Sequence, residues 1–133
     1  MDEFALIKQY FRRAADASAA GVVLGPGDDG ALLQPPPGDQ LVMTLDTSLA
    51  GVHFPDDLPA REMGYRCLAV NLSDLAAMGA RPLWFLLSLT LPRTDADWLA
   101  EFSTGLYELA DHAGIALVGG DMTRGPADHR GSA

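Results

Sequence analysis

Lysine is nearly absent from this chain of 133 residues. Lys8 stands alone beside eight arginines, and 18 acidic residues leave a net charge of −9. Phosphate backbones are gripped by basic faces, so this balance excludes a simple nucleic-acid binder. It also excludes a P-loop: no GxxxxGK[ST] motif occurs, and Lys8 lies too early to serve one. Cys67 is the only cysteine, so no intrachain disulfide can form, as suits a reducing compartment. No apolar run approaches the roughly 18–20 residues that span a bilayer. Met1-Asp2-Glu3 lacks a signal peptide's basic start. The expectation is a cytoplasmic protein with neither membrane nor nucleic acid as partner. There is no G-x-S-x-G elbow and no internal repeat, and His53, His112 and His129 lack metal-ligand spacing. Glutamate is scarce too, with 4 Glu against 14 Asp. Aspartate is the shorter carboxylate, suited to loops, caps and metal sites.

Length and an apolar content of 48% fit one globular domain able to bury a core of its own. Phe4, Ile7, Tyr10, Phe11 and Ala14 recur at helical spacing. Val22 to Leu24 and Ala31 to Leu33 read as short strands, and Leu41 to Leu45 as a strand ending at Asp46. The prolines at 35–37 mark a turn. Pro59 opens a long helix from Ala60 to about Met78, and Gly79 closes it. Leu83 to Leu91 reads as a strand between Pro82 and Pro92. Thr94-Asp95-Ala96-Asp97 has the capping-box form and opens a helix that Gly114 ends. Ile115 to Val118 is a buried strand running into Gly119-Gly120-Asp121. This order predicts an α+β fold, an α/β sandwich with helices packed on a mixed β-sheet.

The chemistry gathers on aspartates. Gly25-Pro26-Gly27-Asp28-Asp29-Gly30 sets two adjacent carboxylates in a glycine loop, and a divalent cation relieves their repulsion. Taken alone, the hexapeptide is also an Asp-Gly turn. Asp46 and Asp121 fall at or after strand ends, where α/β folds gather ligands. Asp74 shares a helix face with Asn71 and has Leu72, Leu75 and Ala76 near it in sequence. These neighbours predict a carboxylate withdrawn from solvent, which a metal would satisfy; capping a backbone turn would serve as well. His53, in the loop after Asp46, is placed to meet a substrate phosphate or simply to sit exposed. Cys67 reads as core. Several aspartates with glycine-rich backbone suit a hard cation and phosphoryl transfer.

Four segments carry a resemblance. They are Gly27-Asp28-Asp29-Gly30-Ala31; Asp46-Thr47-Ser48 with Gly51-Val52-His53-Phe54; the helix run from Val70 through Asn71 and Asp74 to Ala80; and Gly119-Gly120-Asp121-Met122-Thr123-Arg124-Gly125. In order and spacing the chain resembles the thiamine-monophosphate kinase family, within the superfamily that includes aminoimidazole ribonucleotide synthetase. The resemblance implies ATP-dependent phosphorylation of thiamine phosphate to thiamine diphosphate, by direct in-line transfer assisted by several magnesium ions. It implies magnesium ligation by Asp29, Asp46, Asp74 and Asp121, with Thr44 as a hydroxyl ligand and Leu45 through its backbone carbonyl. It implies ATP contacts at Gly120 and Asp121, a thiamine-phosphate contact at His53, and a homodimer through the N-terminal domain. No catalytic residue beyond the metal ligands is implied. The likeness covers residues from about 3 to 126 and implies an N-terminal magnesium- and ATP-binding domain over 1–126. Residues 127–133 depart from it as an irregular tail, and a C-terminal domain is expected but absent. The chain is therefore expected to be a truncated form, inactive alone. Two alternatives stay open. One is another ATP-using superfamily member, a selenide or purine-pathway synthetase; the other is a non-catalytic magnesium- or nucleotide-binding dimerisation module.

Overall fold

A computed structural model describes residues 3–27, 30–48, 57–91 and 95–124. In chain order the elements are α1 (Glu3–Phe11), α2 (Ala14–Ala17), β1 (Val22–Leu24), β2 (Leu32–Leu33), α3 (Ala60–Ala77), β3 (Trp84–Leu91), α4 (Ala96–Ala113) and β4 (Ala116–Arg124). Two compact units result. One combines Met1–Gln34, Trp84–Ala96 and Ala116–Ala133; the other combines Pro35–Leu83 and Asp97–Ile115.

In the first unit, β3 and β4 pair in parallel, from Trp84 opposite Ala116 to Leu91 opposite Arg124. Parallel neighbours need a long connection, and the chain between them supplies one that contains α4. Leu117, Val118 and Met122 of β4 are buried, and α1 and α2 pack on that strand. Helix α1 buries Leu6 and Phe11, so its inward stripe includes a residue outside the predicted pattern. It stops at Phe11 because Arg13 turns to extended backbone, and the weakly patterned stretch that follows forms the short α2. Arg13 grips the buried Asp16 with two bonds, Nε to Oδ2 at 3.2 Å and Nη2 to Oδ1 at 3.1 Å. Strands β1 and β2 form a separate antiparallel pair. Gly21 turns into it at φ 79°, and a Cβ there would stand 2.5 Å from the Trp84 ring and 2.7 Å from the Gln34 carbonyl oxygen. Trp84 is fixed in turn by its Nε1–H, which donates to the Ala20 carbonyl at 3.1 Å.

In the second unit, α4 buries Leu99, Phe102, Leu106, Leu109 and Ala110, the stripe of an amphipathic helix. Each of the leucine and phenylalanine side chains contributes about 1.5–3 kcal/mol relative to exposure. Helix α3 meets α4 through glycines. A Cβ on Gly64 would overlap the Phe102 carbonyl oxygen, and one on Gly105 would overlap the Arg61 carbonyl oxygen. Arg61 also pairs with Glu108 at 2.7 Å. Both helices end in the motif their glycines predict. After α3, Gly79 N–H donates to Ala76 and Ala80 N–H to Leu75; after α4, Gly114 N–H donates to Asp111 and Ile115 N–H to Ala110.

The α+β class holds, with three corrections to detail. The parallel and antiparallel pairings fall in two separate two-stranded sheets among the described residues, rather than in one mixed sheet. Leu41 to Leu45 is not a strand: no neighbouring strand offers it a ladder among the described residues, and Leu41, Val42, Met43 and Leu45 are exposed. Finally, β4 runs on through both glycines to Arg124, so Asp121 sits inside a strand rather than after one. Thr94 of the predicted capping box lies outside the described residues, as do Asp28, Asp29, the segment from Gly51 to Phe54, and residues 125–133.

Candidate metal and nucleotide site

Within the second unit, a side-chain hydrogen bond ties the segment that carries Asp46 to α3. Thr44 Oγ1 donates to Asn71 Oδ1 at 2.7 Å. Asn71 is oriented for this because its Nδ2 donates back to the Cys67 carbonyl at 3.3 Å, leaving Oδ1 to accept. Asp74 lies three residues further along the same helix, on the face that Asn71 shares. The structure thus brings Thr44 and the chain leading to Asp46 onto the helix face that bears Asp74. The Leu45 side chain is 91% exposed.

Asp74 is exposed, not withdrawn from solvent as its sequence neighbours suggested. Leu75 and Ala76 point elsewhere around the helix, while Val70, Ala77 and Met78, which do share its face, are all exposed. Its carboxylate therefore carries no burial cost for a metal to offset; its value is as an accessible oxygen donor. The nearby Cys67 is half-buried and offers its Sγ–H to the Met63 carbonyl at 3.1 Å. Burial pushes the thiol pKa up, which keeps it protonated and unsuited to a cation.

In the first unit, Asp121 stands opposite Ser88, with Thr90 opposite Thr123 two residues along. The Thr90 and Thr123 hydroxyls are 2.9 Å apart and hydrogen-bonded. Gly120 has φ 148°, and a Cβ there would overlap the Leu87 carbonyl oxygen. Packing against β3 alone thus requires glycine beside Asp121. The strand pair borders a cleft of about 70 Å³ whose lining includes Ile7, Phe11, Arg12, Leu87, Asp121 and Met122. Arg12 lies against Gly27, so a Cβ on that glycine would come within 3.5 Å of its guanidinium carbon.

Among the described residues, no three His, Cys, Asp or Glu side chains are grouped to hold a metal ion. Asp29 and His53 lie outside those residues. The donors described are nevertheless of one kind. Asp46, Asp74 and Asp121 are exposed carboxylates, and Thr44 adds a hydroxyl. Taken unit by unit, oxygen donors of this kind suit a hard cation such as magnesium rather than a soft one. Sequence reasoning missed the Thr44–Asn71 bond, Arg12, and the oxygen-bearing pair Ser88 and Thr90. The last had a visible signal, since Ser88 and Thr90 are the only polar residues between Trp84 and Leu91.

Residues 27–131 match the family described as AIR synthase related protein, N-terminal domain. A relative named thiamine-monophosphate kinase from Escherichia coli K12 is 50% identical over 124 residues, covering 93% of this chain and 38% of the relative. Another of that name, from Bacillus subtilis, is 40% identical over 124 residues, covering 91% of the chain and 37% of the relative. A crystal structure of thiamine-monophosphate kinase from Stenotrophomonas maltophilia superimposes with a TM-score of 0.82 at 53% identity, over 95% of this chain and 39% of that one. The chain thus spans about two-fifths of the length of the relatives it matches.

Proposed function

Because the chain belongs to the AIR synthase related family, as its N-terminal domain, we propose that it forms the magnesium- and ATP-binding part of a kinase that converts thiamine phosphate to thiamine diphosphate. The observation that carries this reading is the 50% identity over 93% of the chain with a protein named thiamine-monophosphate kinase. The exposed oxygen donors support the metal part of the reading.

In this reading Asp29, Asp46, Asp74 and Asp121 hold the cations, with the Thr44 hydroxyl and the Leu45 backbone carbonyl as neutral donors. Gly120 and Asp121 face the nucleotide, and His53 contacts the phosphate of thiamine phosphate. The hydrogen bond that Thr44 donates to Asn71 fixes the Thr44 hydroxyl. Bound magnesium supplies charge neutralisation between the acidic protein and the polyphosphate, and stabilises the transferring phosphoryl group. No side chain is needed as a covalent intermediate, because direct in-line transfer depends on positioning and charge. A homodimer through this domain and a cytoplasmic location complete the proposal. Among the described residues, no helix is long and apolar enough to cross a membrane.

Thermal melts of the chain in EDTA, in magnesium, and in magnesium with ATP test the binding part. A ligand that binds only the native state stabilises it by about 2.7 kcal/mol at a hundredfold excess over Kd. Magnesium is expected to raise Tm by several degrees, and ATP to raise it further only when magnesium is present. Identical melts across millimolar magnesium would overturn the preformed site.

A further inference from the structure

Strand β3 is apolar except at two places. From Trp84 to Leu91 it reads WFLLSLTL, and its polar residues, Ser88 and Thr90, are both exposed. They stand opposite Asp121 and Thr123 on β4. Residues facing each other across a ladder share a face, and the Thr90–Thr123 hydrogen bond at 2.9 Å shows that these do. Solvation alone does not explain the pair. Leu86 precedes them on the same face, is 66% exposed, and is still leucine. Oxygen-bearing side chains are confined to the register of Asp121 and Thr123.

We infer that Ser88 is a positioning residue for the cation held at Asp121. The inference rests on the assignment of Asp121 as a magnesium ligand. Ser88 and Asp121 are register partners on adjacent strands about 4.8 Å apart, so their side chains leave the sheet side by side on one face. No hydrogen bond joins the two among the described residues. Both oxygens are therefore available to one water between them. Magnesium sheds its water reluctantly and usually keeps several molecules when bound by one or two carboxylates. A hydroxyl that both donates and accepts can hold such a water, and it can orient the carboxylate oxygen that the ion leaves over. Thr90 and Thr123 satisfy each other, which leaves Ser88 as the hydroxyl directed to this task.

Calorimetric titration of magnesium alone into the 133-residue chain tests this with Ser88→Ala, Ser88→Thr and Asp121→Asn, each also melted in EDTA. Removing an outer-sphere partner weakens metal affinity by roughly 10–100-fold. Ser88→Ala is expected to raise Kd about tenfold, Ser88→Thr to hold it within about twofold, and both to melt in EDTA like the parent. Asp121→Asn should weaken binding more than either. If Asp121→Asn weakens binding while Ser88→Ala leaves Kd unchanged, the positioning role is wrong and the ligand assignment stands. If Asp121→Asn also leaves Kd unchanged, or the parent binds no magnesium, the assignment itself falls. A Ser88→Ala chain that loses stability in EDTA but keeps its magnesium Kd would show a purely structural serine.

Discussion

The crossing of α3 and α4 turns on Gly105, and replacing it by alanine sets two effects against each other. Alanine favours the helix interior over glycine by about 1 kcal/mol. Against this, the new Cβ overlaps the Arg61 carbonyl oxygen, and its next nearest neighbours are also Arg61 backbone atoms. A flexible side chain could swing away; a helical backbone cannot, so the helices must separate. Overpacking costs about 1–3 kcal/mol and at times more, and here it falls beside Phe102 and Leu106, which are each 1% exposed. Taking the upper end of that cost, we expect Gly105→Ala to lose about 2 kcal/mol net. For a chain of this size that lowers Tm by roughly 6–10 °C. Gly30→Ala is the control, since nothing lies within 4 Å of a Cβ there and its φ is not positive. Circular dichroism melts of parent and both variants in EDTA decide the matter. A Gly105→Ala chain that melts above the parent, as helix propensity alone would have it, refutes the close crossing.

Three further outcomes follow from the same structure. Thr44→Val removes the donor to Asn71 and should cost about 1 kcal/mol in urea unfolding, with weaker magnesium binding, because the segment bearing Asp46 loses this tie to α3. Asp74→Asn changes an exposed carboxylate, so its EDTA melt should match the parent while its magnesium Kd rises; an unfolded variant would instead favour a structural role. Burial raises the Cys67 pKa, so the folded chain keeps a proton that the unfolded chain gives up above about pH 8.5. Stability should therefore fall as pH rises from there toward the folded thiol's pKa, and Cys67→Ser should flatten that slope in pH-dependent melts.

Much of this was legible in the chain. Pro59, Gly79 and Gly114 bound α3 and α4 closely, because proline and glycine act through backbone rules that tertiary context seldom overrides. The misreadings have physical causes. Leu41 to Leu45 has strand composition, but strand formation needs a partner ladder, which a local pattern cannot reveal. Two glycines seemed to end β4, yet the strand tolerates Gly120 because the Leu87 carbonyl occupies the space a side chain would need. Asp74 looked withdrawn from solvent because its immediate neighbours in sequence are apolar; on a helix the neighbours that matter lie three and four residues away. The aspartates were found by residue type, whereas the bond that orients Thr44 spans 27 residues and has no local signature.

Phosphoryl transfer itself is the most direct test. In a chimera, residues 1–124 of this chain would replace the matching segment of the Escherichia coli relative, whose length this chain covers to 38%. The chimera is incubated with ATP, magnesium and, in turn, thiamine phosphate, selenide and a purine-pathway substrate, and the products are separated and quantified. Thiamine diphosphate is expected to form only with thiamine phosphate and magnesium, and Asp74→Asn or Asp121→Asn in the grafted segment should lower its rate at least tenfold. A folded chimera that binds magnesium and ATP yet makes no thiamine diphosphate, or that turns over one of the other acceptors instead, would contradict the assignment.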